Sequence, residues 1–259
     1  MQVSLHTING VQRDLHDAID ADASVSIITI DSDEGVEIMR HTLTAQVLAR
    51  AIKNLYPKSK LAIGPTVQDG FYYDVESDES ISSDDLSKIE EEMKKIIKTK
   101  SVITKKLVSK KEALKIFKSN KEPYKEIIIN ESDQDDDFQL YYQDDEEFVD
   151  LCKGPHLPNL GFIGSFKLTK VSGAYWKGDS KNSMLTRIYG TAFNNDKDLQ
   201  NHLDNIEEAL KRDHRKLGKE MDLFHFQDEA PGMVFWHPYG WNIYKTLQNF
   251  MRNKLDKNG

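Results

Sequence analysis

A Gly-Pro pair at 154–155 constrains this chain more tightly than any other local feature. Proline fixes its own φ and has no amide to donate, so neither a helix nor a central strand can run through it. The residues around the break are Asp150-Leu-Cys-Lys-Gly-Pro-His156. They hold the only cysteine of the 259-residue chain, a histidine four positions later and a carboxylate two positions earlier. On one tight turn a thiol, an imidazole and a carboxylate can face a common point, as a hydrolytic or metal site requires. The same stretch also reads as plain structure, because lone cysteines are commonly small buried hydrophobes and lone histidines commonly make one structural hydrogen bond. The heptapeptide leaves both readings open.

The flanking sequence alternates β-patterned runs with amphipathic helices. Asn9-Gly10 is a turn signal, and residues 25–30 pattern as a strand. Ile38, Leu43, Val47, Leu48, Ile52 and Leu55 recur at helical intervals, predicting a helix over 36–56 that carries His41 and stops at Pro57. Residues 60–65, 70–75 and 102–108 read as strands, and 83–98 as a helix with an acidic first turn. Ser109-Lys-Lys-Glu112 reads as a capping box for a short helix over 110–118. Ile127-Ile128-Ile129, 138–142, 162–171 and 184–189 are further strand candidates, and 172–179 a glycine-punctuated turn. Residues 198–217 pattern as one long helix, and Pro238 opens a last helix reaching about 255 with Trp241, Tyr244, Leu247 and Met251 as its apolar stripe. Mixed strands with segregated helices place the chain in the α+β class.

Composition narrows the function classes. There is no run of 18 apolar residues and no apolar signal-peptide core, and a single cysteine permits no internal disulfide, so a cytoplasmic protein away from membranes is expected. A net charge of −8 argues against a general nucleic-acid coat, confining any RNA contact to local patches. Residues 94–125 are lysine-rich and form a candidate patch, whereas 133–147 are acidic.

Taken in order, several motifs resemble those of the bacterial threonyl-tRNA synthetases. They are Gly35-Val-Glu-Ile-Met-Arg-His41, Ala62-Ile-Gly-Pro65, Gly70-Phe-Tyr-Tyr-Asp74, the heptapeptide itself, Ser172-Gly-Ala-Tyr-Trp-Lys-Gly-Asp179, Arg187-Ile-Tyr-Gly-Thr191, Arg212-Asp-His-Arg-Lys216 and Ala230-Pro-Gly-Met-Val-Phe-Trp-His237. The resemblance covers nearly the whole chain and implies the N-terminal part of such an enzyme. It implies a partial ubiquitin-like β domain over 1–34 and an α+β editing domain over 35–195, with an antiparallel sheet and packed helices, shared with alanyl-tRNA synthetase. A linker helix over 196–221 and the start of a class II catalytic domain over 222–259 complete the implied layout.

The implied chemistry is hydrolysis of mischarged Ser-tRNA(Thr) at the acceptor end of tRNA(Thr). A missing methyl is worth only about 1–3 kcal/mol in a pocket, so a second, smaller site has to clear serine after the first has admitted it. By resemblance the catalytic residues are His41, Lys125, Cys152 and His156, and the substrate-binding residues are Tyr73, Asp150 and Gln46. An activated water is preferred to Cys152 as the nucleophile. No cofactor is required for this chemistry, but His41, Cys152 and His156 form a candidate zinc site. ATP, a further zinc and homodimerisation belong to the full-length enzymes.

Two departures stand out. The family has two histidines four apart on the first helix, whereas this chain reads His41-Thr-Leu-Thr-Ala-Gln46. Counted from upstream, Ala45 takes the second position; counted back from Ala51, Thr42 and Gln46 take the pair, because the helix carries one extra residue. His41 and Gln46 are about 500° apart on an α-helix and point in different directions. The sequence also stops within the helix of the first class II motif, so threonine activation with ATP is not expected of it. The alternative reading is a non-catalytic tRNA-binding module or an inactive remnant.

Overall fold

A computed structural model describes residues 3–19, 21–144 and 148–259, so the last three positions of the acidic run lie outside the described residues. The chain divides into two compact units, Met1–Leu199 and Gln200–Gly259. The fold is α+β, with antiparallel strand pairing in every described sheet.

The first unit opens on a three-stranded sheet of β1 (Val3–Ile8), β2 (Val11–Arg13) and β3 (Val25–Thr29), in the order β2-β1-β3. Asn9 and Gly10 make its hairpin turn at φ +51° and +80°, as an Asn-Gly pair favours. Leu5 and Ile28 are buried in the same core as the first helices, so this small sheet does not build a core of its own. That core explains how so short a β segment stays folded.

The predicted 36–56 helix is a rod in three pieces: α1 (Asp33–Thr42), a π-helical turn over Leu43–Leu48, and α2 (Ala49–Leu55). Ser32 caps it by accepting the Gly35 N–H at 3.1 Å, and acidic Asp33 and Glu34 follow in the first turn. Thr42, Leu43, Leu48 and Ala49 all keep right-handed helical φ/ψ, so the rod does not break where its hydrogen-bond pattern changes. A π turn accommodates one more residue than an α turn, and it covers the stretch where the resemblance implied a surplus residue. All six of its residues are buried.

Beyond the rod come β4 (Lys60–Leu61), β5 (Thr66–Val67), β6 (Gly70–Glu76), α3 (Leu86–Thr99), β7 (Ile103–Val108), α4 (Lys110–Ser119) and α5 (Pro123–Glu131). These are followed by β8 (Phe138–Gln143), β9 (Phe148–Leu151), β10 (Ser165–Tyr175) and β11 (Met184–Phe193). One sheet runs β10-β11-β6-β4, with β5 also on β6; the other runs β7-β8-β9. Along β6, Phe71, Tyr73 and Val75 turn into the core at period 2, while Asp74 on the other face is buried against Arg187.

Four expectations need correction. Ile127-Ile128-Ile129 lies in α5 rather than in a strand: Pro123 sits at the first helical position, and Tyr124, Lys125 and Ile129 form the buried face. The expected turn over 172–179 begins as strand, because β10 pairs with β11 through Tyr175 before a single 3-10 turn at Trp176–Gly178. The single helix over 198–217 is two, α6 (Asp196–Lys211) and α7 (His214–Glu220), because Asp213 leaves the helix and caps α7 by accepting the Arg215 N–H at 2.8 Å. The Ser109 cap is present, accepting the Glu112 N–H at 3.3 Å, while the reciprocal capping box is made by Ser82 and Asp85.

From Gln200 the second unit continues α6 and α7, adds the hairpin β12 (Phe224–His225) and β13 (Phe235–Trp236), and closes on α8 (Pro238–Asn258). Trp241, Tyr244, Leu247 and Met251 form the predicted stripe of α8 and are exposed.

Candidate active site

β8 and β9 lead the chain into the Gly-Pro turn. Cys152 still bonds to β8, donating its N–H to the Gln139 carbonyl at 3.2 Å, and Gly154 then turns at φ +60°. A Cβ at Gly154 would overlap the Tyr141 hydroxyl, so both conformation and space demand glycine there. The turn delivers His156 against His41 of α1: the two rings stack in parallel with centroids 4.7 Å apart. The edge of Tyr141 meets His156 at 4.4 Å.

Hydrogen bonds fix the His156 tautomer. Thr42 Oγ1 gives its single proton to the Ile38 carbonyl at 2.8 Å and accepts the Leu157 N–H at 3.0 Å. Its contact with His156 Nδ1 at 3.2 Å therefore has Nδ1–H as donor, which leaves Nε2 as a bare lone pair. That Nε2 is buried and has no hydrogen-bond partner among the described residues. His41 Nε2 stands 2.9 Å from Cys152 Sγ, and donor atoms of His41, Cys152 and His156 all lie within 4.8 Å of one another.

Beside this cluster is a cavity of about 450 Å³, lined among others by His41, Ala45, Tyr73, Lys125, Asp150 and Cys152. Ile63, Pro65, Ile128 and Phe138 give it apolar walls. Lys125 Nζ is 2.6 Å from Asp150 Oδ1, with both side chains only 3% exposed. Tyr73 accepts from Lys125 and donates to Asp150, each at 3.3 Å. The structure thus brings Tyr73, Lys125, Asp150, Cys152 and His41 to one cavity. His156 packs behind them and lines a separate cavity of about 240 Å³.

Gln46 does not join them. Its carbonyl and side-chain oxygens accept from Gln143 Nε2, and it is fully buried, so the expected substrate-binding role is corrected to an internal one. The π turn decides the register: Ala45 faces the cavity, and Gln46 faces β8. Gly64 backs the same wall, where a Cβ would overlap both the Tyr73 ring and the Thr44 methyl. Gly64→Ala is expected to destabilise the protein by about 1–3 kcal/mol through overpacking, measurable by urea denaturation.

Burial sets the protonation states. It pushes His41 down to about 4, opposed by the negative charge of Asp14, and it pushes His156 well below the usual histidine range, helped by His41. Burial also pushes the Cys152 thiol up to about 12, although the Gly154 and Lys153 amides favour its thiolate. Both imidazoles are therefore neutral at physiological pH and the thiol is protonated. A protonated thiol is a poor nucleophile, which leaves an imidazole as the available proton acceptor. Burial raises Asp150 while Lys125 opposes it, and the Tyr73 hydroxyl is pushed well above its ordinary value, so it stays a donor.

Sequence reasoning named Thr42 only as one register of the histidine pair, and it missed Tyr141 and Asp14 around His156. Tyr141 lies in the strand-patterned run 15 residues before His156, and Asp14 lies 142 residues away with no local signal.

The family model described as Threonyl and Alanyl tRNA synthetase second additional domain matches residues 139–189, a span holding Asp150, Cys152 and His156. A threonine--tRNA ligase of Prochlorococcus marinus (strain MIT 9211) is 51% identical over 251 residues, covering 96% of this chain and 39% of that protein. The chain thus spans about two fifths of the length of the curated relative it matches. Over nearly its whole length the chain is similar to part of that threonine--tRNA ligase, and residues 139–189 match the second additional domain of the threonyl and alanyl enzymes.

Proposed function

We propose that the chain acts in translation as an editing hydrolase, releasing serine from Ser-tRNA(Thr). The observation that carries this reading is the convergence of a neutral His41, a buried Lys125–Asp150 pair and the Tyr73 hydroxyl on one cavity beside Cys152. In the reaction a water oxygen attacks the ester carbonyl, its proton passes to the His41 imidazole and then to the departing ribose oxygen, and serine leaves as the acid. Lys125 carries three N–H donors; Asp150 and Tyr73 receive two, and the third suits the developing oxyanion. Cys152 and His156 orient His41, and the apolar wall keeps the extra methyl of threonine out.

The donor set also fits zinc. Two neutral imidazoles and a thiol come from three positions, His156 offers a bare Nε2, and its Nδ1 is anchored by Thr42 as metal-bound histidines usually are. His41, Cys152 and His156 would hold the ion, which would supply a water of lowered pKa. Lys125 keeps its role as donor to the ester oxygen in either case.

The expected partner is the acceptor end of tRNA(Thr). Lys105 and Lys125 of the lysine-rich run serve internal ion pairs, so phosphate contacts would fall to other lysines. No helix among the described residues is long and apolar enough to cross a membrane. Incubating the purified chain with Ser-tRNA(Thr) and Thr-tRNA(Thr) tests the reading. Serine is expected to be released at least tenfold faster than threonine, while binding of either tRNA without release would instead identify a docking module. Metal analysis of the same sample, with serine release followed before and after chelation, decides whether zinc takes part.

A further inference from the structure

One carboxylate reaches the site from behind the residues that line the cavity. Asp14 directly follows β2, and the Asp17 N–H bonds back to the Asp14 carbonyl at 3.0 Å, closing a turn. Asp14 Oδ1 accepts the backbone N–H of His156 at 2.9 Å, and Oδ2 accepts the Tyr141 hydroxyl at 2.8 Å. Lys105 Nζ lies 2.8 Å from Asp14 Oδ2 and 2.5 Å from Asp17 Oδ1.

These contacts are more than loop closure. The Asp17–Lys105 pair by itself ties the loop to β7. Asp14 adds two bonds aimed at the site: one to the backbone that carries His156, and one to the ring that forms its edge-on wall. His41 covers the other side of His156 and touches Cys152, so a shift of His156 passes directly to both. No local segment supplies this hold, because Asp14 is 142 residues from His156 in sequence.

We propose that Asp14, contributed by the N-terminal three-stranded sheet, is a positioning residue for the hydrolytic site, fixing the His156 turn and through it the placement of His41 and Cys152. This rests on the hydrolytic reading of the cavity, yet the placement itself can be measured separately. Cys152 is the only thiol, so its rate of modification by a thiol reagent reports directly on the turn.

In the full chain, Asp14→Ala is expected to raise the Cys152 labelling rate at least tenfold. It should lower kcat for serine release at least tenfold, with KM changed less than twofold. Asp14→Asn keeps an oxygen for the His156 N–H, and its amide N–H can donate to the Tyr141 oxygen instead of accepting from it, so it should restore both quantities to within threefold of wild type. Glu90→Gln, which removes a charge that Lys167 pairs with on α3, serves as a control with thermal melting recorded alongside. It should change neither quantity. Wild-type labelling in Asp14→Ala, failure of Asp14→Asn to rescue, or the same acceleration in Glu90→Gln at matched loss of Tm would each overturn the proposal. A wild-type chain that releases no serine would sink the hydrolytic reading, and the labelling rates would still decide whether Asp14 holds the turn.

Discussion

Replacing Lys125 with methionine should destabilise the protein by about 3–5 kcal/mol, because it strands a buried carboxylate without its counter-ion. Lys125 and Asp150 are almost fully enclosed and 2.6 Å apart, and only two neutral donors, the Tyr73 hydroxyl and the Leu151 N–H, would remain on the carboxylate. The protein would relieve part of the cost by protonating Asp150, whose pKa burial already raises. The loss should therefore be larger at neutral pH than in acid: a carboxyl favoured in its protonated form gains folded-state stability as pH falls through its folded pKa. Urea denaturation at pH 5 and pH 7.5 measures this, and an equal loss at the two pH values would show that Asp150 does not take up the proton. Lys125→Met, Asp150→Asn removes both charges together and should recover much of the lost stability. If Lys125 is also the oxyanion donor, that stable double variant should still release serine about 10²–10³-fold more slowly.

His41→Ala is expected to slow serine release by about 10²–10⁴-fold, the range by which a positioned proton acceptor contributes. His41 is the imidazole that both lines the cavity and touches Cys152, whereas His156 lines a different cavity behind it. His156→Ala should act indirectly, through the lost stack and the lost Thr42 contact, and so give the smaller effect on release and the larger effect on stability. Single-turnover hydrolysis combined with thermal melts separates the two. If His156→Ala slows release more than His41→Ala while leaving Tm unchanged, the proton acceptor has been assigned to the wrong ring.

Much of this site was legible because its determinants are local. The Gly-Pro break places Cys152 and His156 on one turn whatever the rest of the chain does, and the apolar spacing of 36–56 puts His41 on a helix that has to bury one face. The assignment of Lys125 came through the resemblance, while its local structure was misread. Three β-branched isoleucines imitate a strand, and the opposing signal, Pro123 at the first position of a helix, is weaker than a triple-isoleucine pattern. The partners of His156 could not be read at all. Tyr141 meets it from β8 once the β8–β9 hairpin has formed, and Asp14 reaches it from the N-terminal sheet, a contact across 142 residues that no spacing rule encodes. Gln46 entered by counting the histidine pair back from Ala51, whereas the roughly 500° of helix rotation already pointed it away from His41, and the structure turns it to Gln143.

The wide turn at Leu43–Leu48 has a consequence for the rest of the rod. On an ideal α-helix, a surplus residue would rotate every later side chain by about 100° and swing Ala51 and Ile52 off the core. Here the whole phase error is absorbed within a single loop of the spiral, so the faces on either side stay aligned and both remain buried. A change of helix pitch in the middle of a buried rod is thereby quarantined: it sets which side chain faces the cavity and leaves the neighbouring packing undisturbed.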